Sequence, residues 1–139
     1  MSRRLVLLLV ALALAAGCDD EQPSGVHSPE GVMIRDWLLA VKNGDYDHAA
    51  DFFARGAIID QGRPFRLNSR AAARFFNATL PCHADLVRLR DEGEMVLATF
   101  RLEAGPGGPC KGRVQVRYTI EDGRFTEWRQ LTPGDGPVV

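Results

Sequence analysis

Asp60 is the first residue to weigh as a site of chemistry, because it ends a short apolar run, Ala57, Ile58 and Ile59, and is followed by Gln61 and Gly62. A carboxylate buried among Phe53, Phe76 and Phe100 would have its pKa raised by desolvation and would serve as a general base. The plainer reading makes Asp60 the cap of the turn before Gly62, and the local spacing favours it. Gln61 exchanges hydrogen bonds but abstracts no proton. Six aromatic residues, Trp37, Phe53, Phe76, Phe100, Tyr118 and Trp128, are candidates to line a pocket for a small apolar ligand. The core competes for them: a domain of about 110 residues needs most of its aromatic side chains for burial.

Other constellations point to simpler roles. His27, His48 and His83 have no ligand spacing with one another, the cysteines have no zinc spacing, and no Gly-x-Ser-x-Gly elbow occurs. The expectation is therefore no metal and no cofactor. His48 belongs on the wet side of a short helix, and Ser69 is read as a helix cap. Residues 105–111 (Gly-Pro-Gly-Gly-Pro-Cys-Lys) lack the glycine before lysine that a phosphate loop needs. Their two prolines also remove backbone donors, so the segment is read as a hairpin loop. Arg66, Arg70 and Arg74 recur at helical spacing, and Arg113 and Arg117 share a strand face with Gln115. Either set can hold an anionic ligand or an acidic partner; solvated faces balanced by Asp and Glu are the preferred reading. Asn77-Ala78-Thr79 matches a glycosylation sequon and is discounted beside the leader described next.

Arg3 and Arg4 precede an apolar run at residues 5–16, too short for the ~20 residues that span a bilayer. The run closes on Leu14-Ala15-Ala16-Gly17-Cys18, which resembles a bacterial lipobox, and Cys18 is expected to be the acylated first residue of the mature chain. The expected location is the extracytoplasmic side of a membrane; plain secretion after residues 13–15 is the alternative. Residues 18–27 are polar and acidic and read as a flexible tether, 28–132 as the domain and 133–139 as a disordered tail. The 139-residue chain has 17 basic and 18 acidic residues, and the part after residue 17 has 15 and 18, a net of −3. That balance excludes a strongly basic nucleic-acid binder. With Cys18 acylated, Cys82 and Cys110 are the two thiols left, each preceded by a proline and each ahead of a strand. In a compartment where disulfides persist they are expected to pair.

These residues must be positioned by helices first and strands after. Ser28-Pro29 starts a helix in which Met33, Ile34, Trp37, Leu38 and Val41 recur at helical spacing, and Asn43-Gly44 stops it. Asp45 caps a short second helix with Ala49, Ala50, Phe52 and Phe53 on its apolar side. Residues 57–60 read as a strand, 62–64 as a turn, and a third helix runs from a cap at Asn68 or Ser69 to Leu80, before Pro81. From Cys82 onward the period is two. Pairing 95–104 with 112–121 through Leu102 opposite Val114 matches every apolar residue with another, Phe100 with Val116, Ala98 with Tyr118 and Val96 with Ile120. At Glu121-Asp122-Gly123 a three-residue bulged turn is preferred, because it turns Trp128 and Gln130 inward where a two-residue turn would bury Glu127 and Arg129.

The order of elements predicts an α+β fold: a cone-shaped, strongly curved antiparallel sheet with the three helices of the N-terminal half on its concave face. The runs at residues 37–45, 52–60 and 122–128 resemble the nuclear transport factor 2-like superfamily, and more narrowly its SnoaL-like and ketosteroid isomerase-like branch. In the isomerase branch a base sits at the end of the first strand, with a hydrogen-bond donor on the first helix and an acid on a late strand. The resemblance places Gln61, with Asp60 beside it, at the first position, Trp37 at the second, and residues 115–117, without a carboxylate, at the third. It also implies dimerisation through the outer sheet face. Two function classes follow: a non-catalytic small-molecule-binding or interaction module, preferred, and an isomerase, dehydratase or hydrolase using Asp60.

Overall fold

The structure, a computed structural model, describes residues 25–132. Cys18, the leader and residues 133–139 lie outside the described residues. Helix α1 (Pro29–Lys42) begins at Ser28, whose Oγ accepts from the Gly31 N–H at 3.1 Å, and ends at Asn43, beyond which Gly44 takes φ 70°. Asp45 caps α2 (Tyr46–Asp51) and Ser69 caps α3 (Arg70–Thr79), each by accepting one backbone N–H. Leu80 is extended because Pro81 follows it. Among the described residues no helix is long and apolar enough to cross a membrane.

Strand β1 covers Phe53–Asp60, β2 Pro64–Leu67, β3 His83–Glu92, β4 Met95–Glu103, β5 Arg113–Glu121 and β6 Arg124–Leu131. They form one sheet in the order β2-β1-β6-β5-β4-β3, curved around the helices, and all neighbours are antiparallel except β1 with β6. One continuous apolar core fills the space between helices and sheet, drawing on α1 through Ile34, Trp37 and Val41 and on every strand.

Four sequence expectations need correction. Phe53 belongs to β1, not to the second helix, and strand β1 starts four residues before Ala57. Strands β4 and β5 pair two residues out of the expected register: Phe100 faces Val114, Ala98 faces Val116 and Val96 faces Tyr118. A two-residue slip leaves each side chain on its own face, so hydrophobic patterning does not distinguish the two registers. The loop decides instead, since Leu102 N–H donates to the Gly112 carbonyl and Gly105 closes a tight turn with Gly108. The β5–β6 connection is a two-residue turn, with Asp122 and Gly123 both at positive φ and Glu121 opposite Arg124. The extra residue sits later, at Thr126, between the Ile120–Phe125 and Thr119–Glu127 pairs. That bulge turns Trp128 inward, as expected, by a different device. Finally, the last residues assigned to the tether are docked: residues 25–27 form a turn and Val26 is buried.

Cys82 and Cys110 form a disulfide with Cα atoms 5.9 Å apart. The loop before Cys110 lies on the segment before β3. Gly107 N–H donates to the Pro81 carbonyl at 2.9 Å, and a Cβ on Gly105 would stand 2.7 Å from that same oxygen. Only glycine permits so close an approach.

Candidate functional site

A cavity of about 170 Å³ opens where α1, the segment before β3 and the inner faces of β4, β5 and β6 converge. Trp37, Leu38 and Val41 border it from α1, Phe100 and Leu102 from β4, Val114 and Val116 from β5, and Trp128 and Gln130 from β6. Gln61, Leu80, Pro81, the Cys82 end of the disulfide, His83 and Ala84 complete the wall. No Asp, Glu, Lys or Arg is among the lining residues, and His83 is the one titratable side chain there. A larger depression of about 600 Å³ lies between α1 and β3, but it is an open groove interrupted by Arg35, Asp36, Lys42 and Asp85. The smaller cavity is the better formed site, because its apolar wall is nearly continuous.

The six aromatic candidates divide into two groups. Trp37, Phe100 and Trp128 border the cavity. Phe53, Phe76 and Tyr118 belong to the buried core, Phe53 meeting Phe76 edge-on at 5.7 Å and Trp37 at 6.0 Å. Both indole N–H groups are spent inside the protein: Trp37 Nε1 donates to Asn77 Oδ1 at 2.7 Å, and Trp128 Nε1 donates to the Tyr118 hydroxyl at 3.1 Å. Asn77 in turn donates its Nδ2 to the Ala73 carbonyl at 2.8 Å and is 1% exposed. The sequon at Asn77 is therefore closed to glycosylation in the folded domain. Burial pushes the Tyr118 phenol well above its ordinary value, and the bond from Trp128 pulls weakly the other way.

Asp60 ends β1 on the face opposite Ile59, away from the cavity. Its Oδ1 accepts from the Gly62 N–H at 3.0 Å and its Oδ2 lies 3.5 Å from Arg129 Nε. This is the turn-capping role, with an ion pair added. Gln61 does reach the cavity edge. Arg70 pairs with Asp51 and Arg74 with Asp47, so the helical arginines are balanced. The bond to Asp51 raises the Arg70 pKa further. Arg66 donates to the Gly56 carbonyl, Arg117 pairs with Glu92 at 3.0 Å, and Gln115 donates to Thr99. His48 is exposed, edge-on to Phe52. No cluster of three or more His, Cys, Asp or Glu able to hold a metal occurs among the described residues.

Sequence reasoning met Asn77 only as a discounted sequon and not as a buried hydrogen-bond partner, and it did not single out Phe125 or the placement of His83. For Asn77 the signal was present: Ala73, Phe76 and Asn77 share one stripe of α3, and an amide on an apolar stripe must find a buried partner. Phe125, fully buried against Tyr118 at 4.8 Å, was hidden by the bulge that follows it.

The fold and an apolar cavity on its concave side define a class, the nuclear transport factor 2-like proteins. The sequence profile of the SnoaL-like domain matches residues 34–128, and the chain belongs to that family. Comparison with curated proteins gives no match. Among solved structures the chain is similar to a provisionally assigned polyketide cyclase from Sinorhizobium meliloti, at 18% identity and TM-score 0.59, covering 72% of this chain and 94% of that one. It is also similar to a nuclear transport factor 2-like protein of unknown function from Cytophaga hutchinsonii, at 9% identity and TM-score 0.58, covering 71% and 85%. A cystatin-fold protein from Novosphingobium aromaticivorans shares 17% identity at TM-score 0.58, covering 73% and 96%. At these identities the likeness is one of fold.

Proposed function

We propose that the chain is an extracytoplasmic lipoprotein, anchored through an acyl group on Cys18, whose domain binds a small uncharged apolar molecule without transforming it. The carrying observation is the composition of the cavity wall: no carboxylate, no cation, and both indole N–H groups already committed. A ligand there gains apolar contact and at most the polar edges of Gln61, His83 and Gln130. The volume of about 170 Å³ suits a molecule near the size of benzene, which a dry cavity of ~150 Å³ accommodates.

Trp37 and Trp128 are the two tryptophans of the chain and both border the cavity. Titration with toluene, followed by tryptophan fluorescence, is expected to give a saturable change that Val114→Phe abolishes by filling the space. An identical response from the protein and its filled variant would overturn the binding reading. Acceleration of a 5-ene-3-ketosteroid rearrangement, lost in Asp60→Asn, would replace it with the enzymatic one. For the anchor, Cys18→Ser is expected to move the protein from the membrane to the soluble fraction, and persistence in the membrane would refute it.

A further inference from the structure

The outer face of the sheet carries a charge excess opposite to that of the chain. One row across five strands reads Arg90, Leu97, Arg117, Arg129, Asp60. The next, toward the β4–β5 loop, reads Arg88, Thr99, Gln115, Leu131, and a third reads Asp85, Arg101, Arg113. On the other side Glu92, Met95, Thr119, Glu127, Ile58 and Arg66 complete the face. Seven guanidinium groups thus face four carboxylates, in a sequence whose net charge after residue 17 is −3. At the strand ends Glu121 faces Arg124 and Glu103 pairs with Lys42, which changes nothing in the balance.

The four carboxylates are all occupied, Glu92 by Arg90 and Arg117, Asp85 by Arg101, Asp60 and Glu127 by Arg129. Arg88 and Arg113 form no ion pair among the described residues. Arg101 stands directly opposite Arg113, and Arg117 opposite Arg129. Like charges in that placement oppose folding. The Arg117–Arg129 pair is offset by Glu92, Asp60 and Glu127, whereas Arg113, opposite Arg101, has no acid of its own and, with Arg88, is left to an external anion. We propose that this face docks on the anionic headgroups of the membrane to which the chain is anchored. The inference rests, for its choice of partner, on the lipoprotein reading above.

The connection to the anchor favours the bilayer over an acidic protein. Gly25 abuts the inner side of β3 so closely that a Cβ on it would stand 2.8 Å from the Leu89 carbonyl. Strand β3 is the edge strand of the sheet, and Arg88 and Arg90 lie on its opposite face, across that edge. Seven residue steps separate Cys18 from Gly25, a span of at most ~25 Å even fully extended. The β3 side of the arginine face is thereby held within reach of headgroups, whose phosphates guanidinium groups bind in bidentate fashion. Each arginine at such a surface strengthens binding about fivefold, so removing two weakens it about 30-fold.

The test uses residues 18–139 carrying Cys18→Ser, so that no acyl group contributes. It is co-sedimented with vesicles of phosphatidylcholine alone or of phosphatidylcholine mixed with the anionic phosphatidylglycerol. Binding is expected only to the anionic vesicles, falling with added salt and about 30-fold weaker for Arg88→Gln with Arg113→Gln. Those two residues have no carboxylate partner, so their loss leaves no unpaired acid behind. Arg70→Gln with Arg74→Gln removes the same charge from α3 and is expected to leave binding unchanged. Absence of binding to anionic vesicles, or equal loss in both double variants, would overturn the proposal. A dimer that the Arg88 and Arg113 substitutions dissociate, without vesicle binding, would assign the face to a second copy instead. Because the assay omits the acyl group on residue 18, its failure is separate from failure of the anchor, which cell fractionation reads.

Discussion

Along β5 the chain alternates between two environments. Val114, Val116 and Tyr118 face the helices, while Arg113, Gln115 and Arg117 face outward. On the inner side polar atoms are few and matched one to one: Trp37 with Asn77, Trp128 with Tyr118, with no buried side-chain nitrogen or oxygen lacking a partner among the described residues. On the outer side, charges are many, hydrated and unevenly matched. The difference teaches where a single polar group matters. Inside, the alternative to a partner is desolvation without compensation; outside, it is water. Substitutions should therefore separate the faces by size of effect.

The largest effect belongs to the rim, where Cys82 borders the cavity and Cys110 closes a 28-residue separation. Replacing both with Ser is expected to cost about 3–4 kcal/mol by loop-closure entropy, measured by urea unfolding. The same variant should lose toluene binding at temperatures where it remains folded, since the loop no longer fixes Pro81 and His83. A loss below ~1 kcal/mol would show that the glycine contacts to Pro81, not the disulfide, hold the rim.

Asn77→Ala comes next. It leaves the Trp37 N–H buried without an acceptor and opens a small void, for an expected loss of about 2–3 kcal/mol. If it costs no more than an outer arginine, the contrast between the faces fails. Tyr118 offers the matching test by pH. Its folded pKa is raised, so its contribution is complete below the ordinary phenol value and is lost as pH rises through the folded one. Absorbance titration should find Tyr118 silent until the domain unfolds in alkali.

The fold was legible wherever one residue type admits one local geometry. Ser28, Asp45 and Ser69 cap helices because a short side-chain oxygen beside a helix start has few better partners. The inward set of β4 and β5 followed from period two. What period two does not carry is translation by two, so the register escaped and the loop and disulfide set it. The inward turn of Trp128 was legible from the cost of burying Glu127 and Arg129, but not the location of the bulge, which any position between turn and Trp128 would satisfy. Of the site, the bordering role of Trp37, Phe100 and Trp128 was readable as aromatic content, whereas its separation from the core role of Phe53, Phe76 and Tyr118 depends on tertiary packing. Arg113 and Arg117 were readable as one face of one strand; their neighbours on β3, β4 and β6 required the register.

The smallest expected effect carries the opposite sign. Arg113 stands directly across from Arg101 and has no acid of its own, whereas Arg101 already holds Asp85 at 2.9 Å. Hydrogen bonding with Glu103 and then Arg101 keeps the Asp85 carboxyl below its ordinary range, so this corner is already tuned around Asp85 and its neighbours. Arg113→Glu exchanges a like-charge pair for an opposite one without burying anything. It is expected to stabilise the domain by about 0.2–1 kcal/mol, less at high salt. Urea unfolding at low and high ionic strength measures both terms. The same substitution should weaken binding to anionic vesicles, because it reverses a charge on the docking face. Greater stability with weaker docking would mark Arg113 as a residue kept for what the face binds. Lower stability at low salt would mean that Arg113 has a folding role, and the contrast between a demanding inner face and a permissive outer one would not extend to this corner.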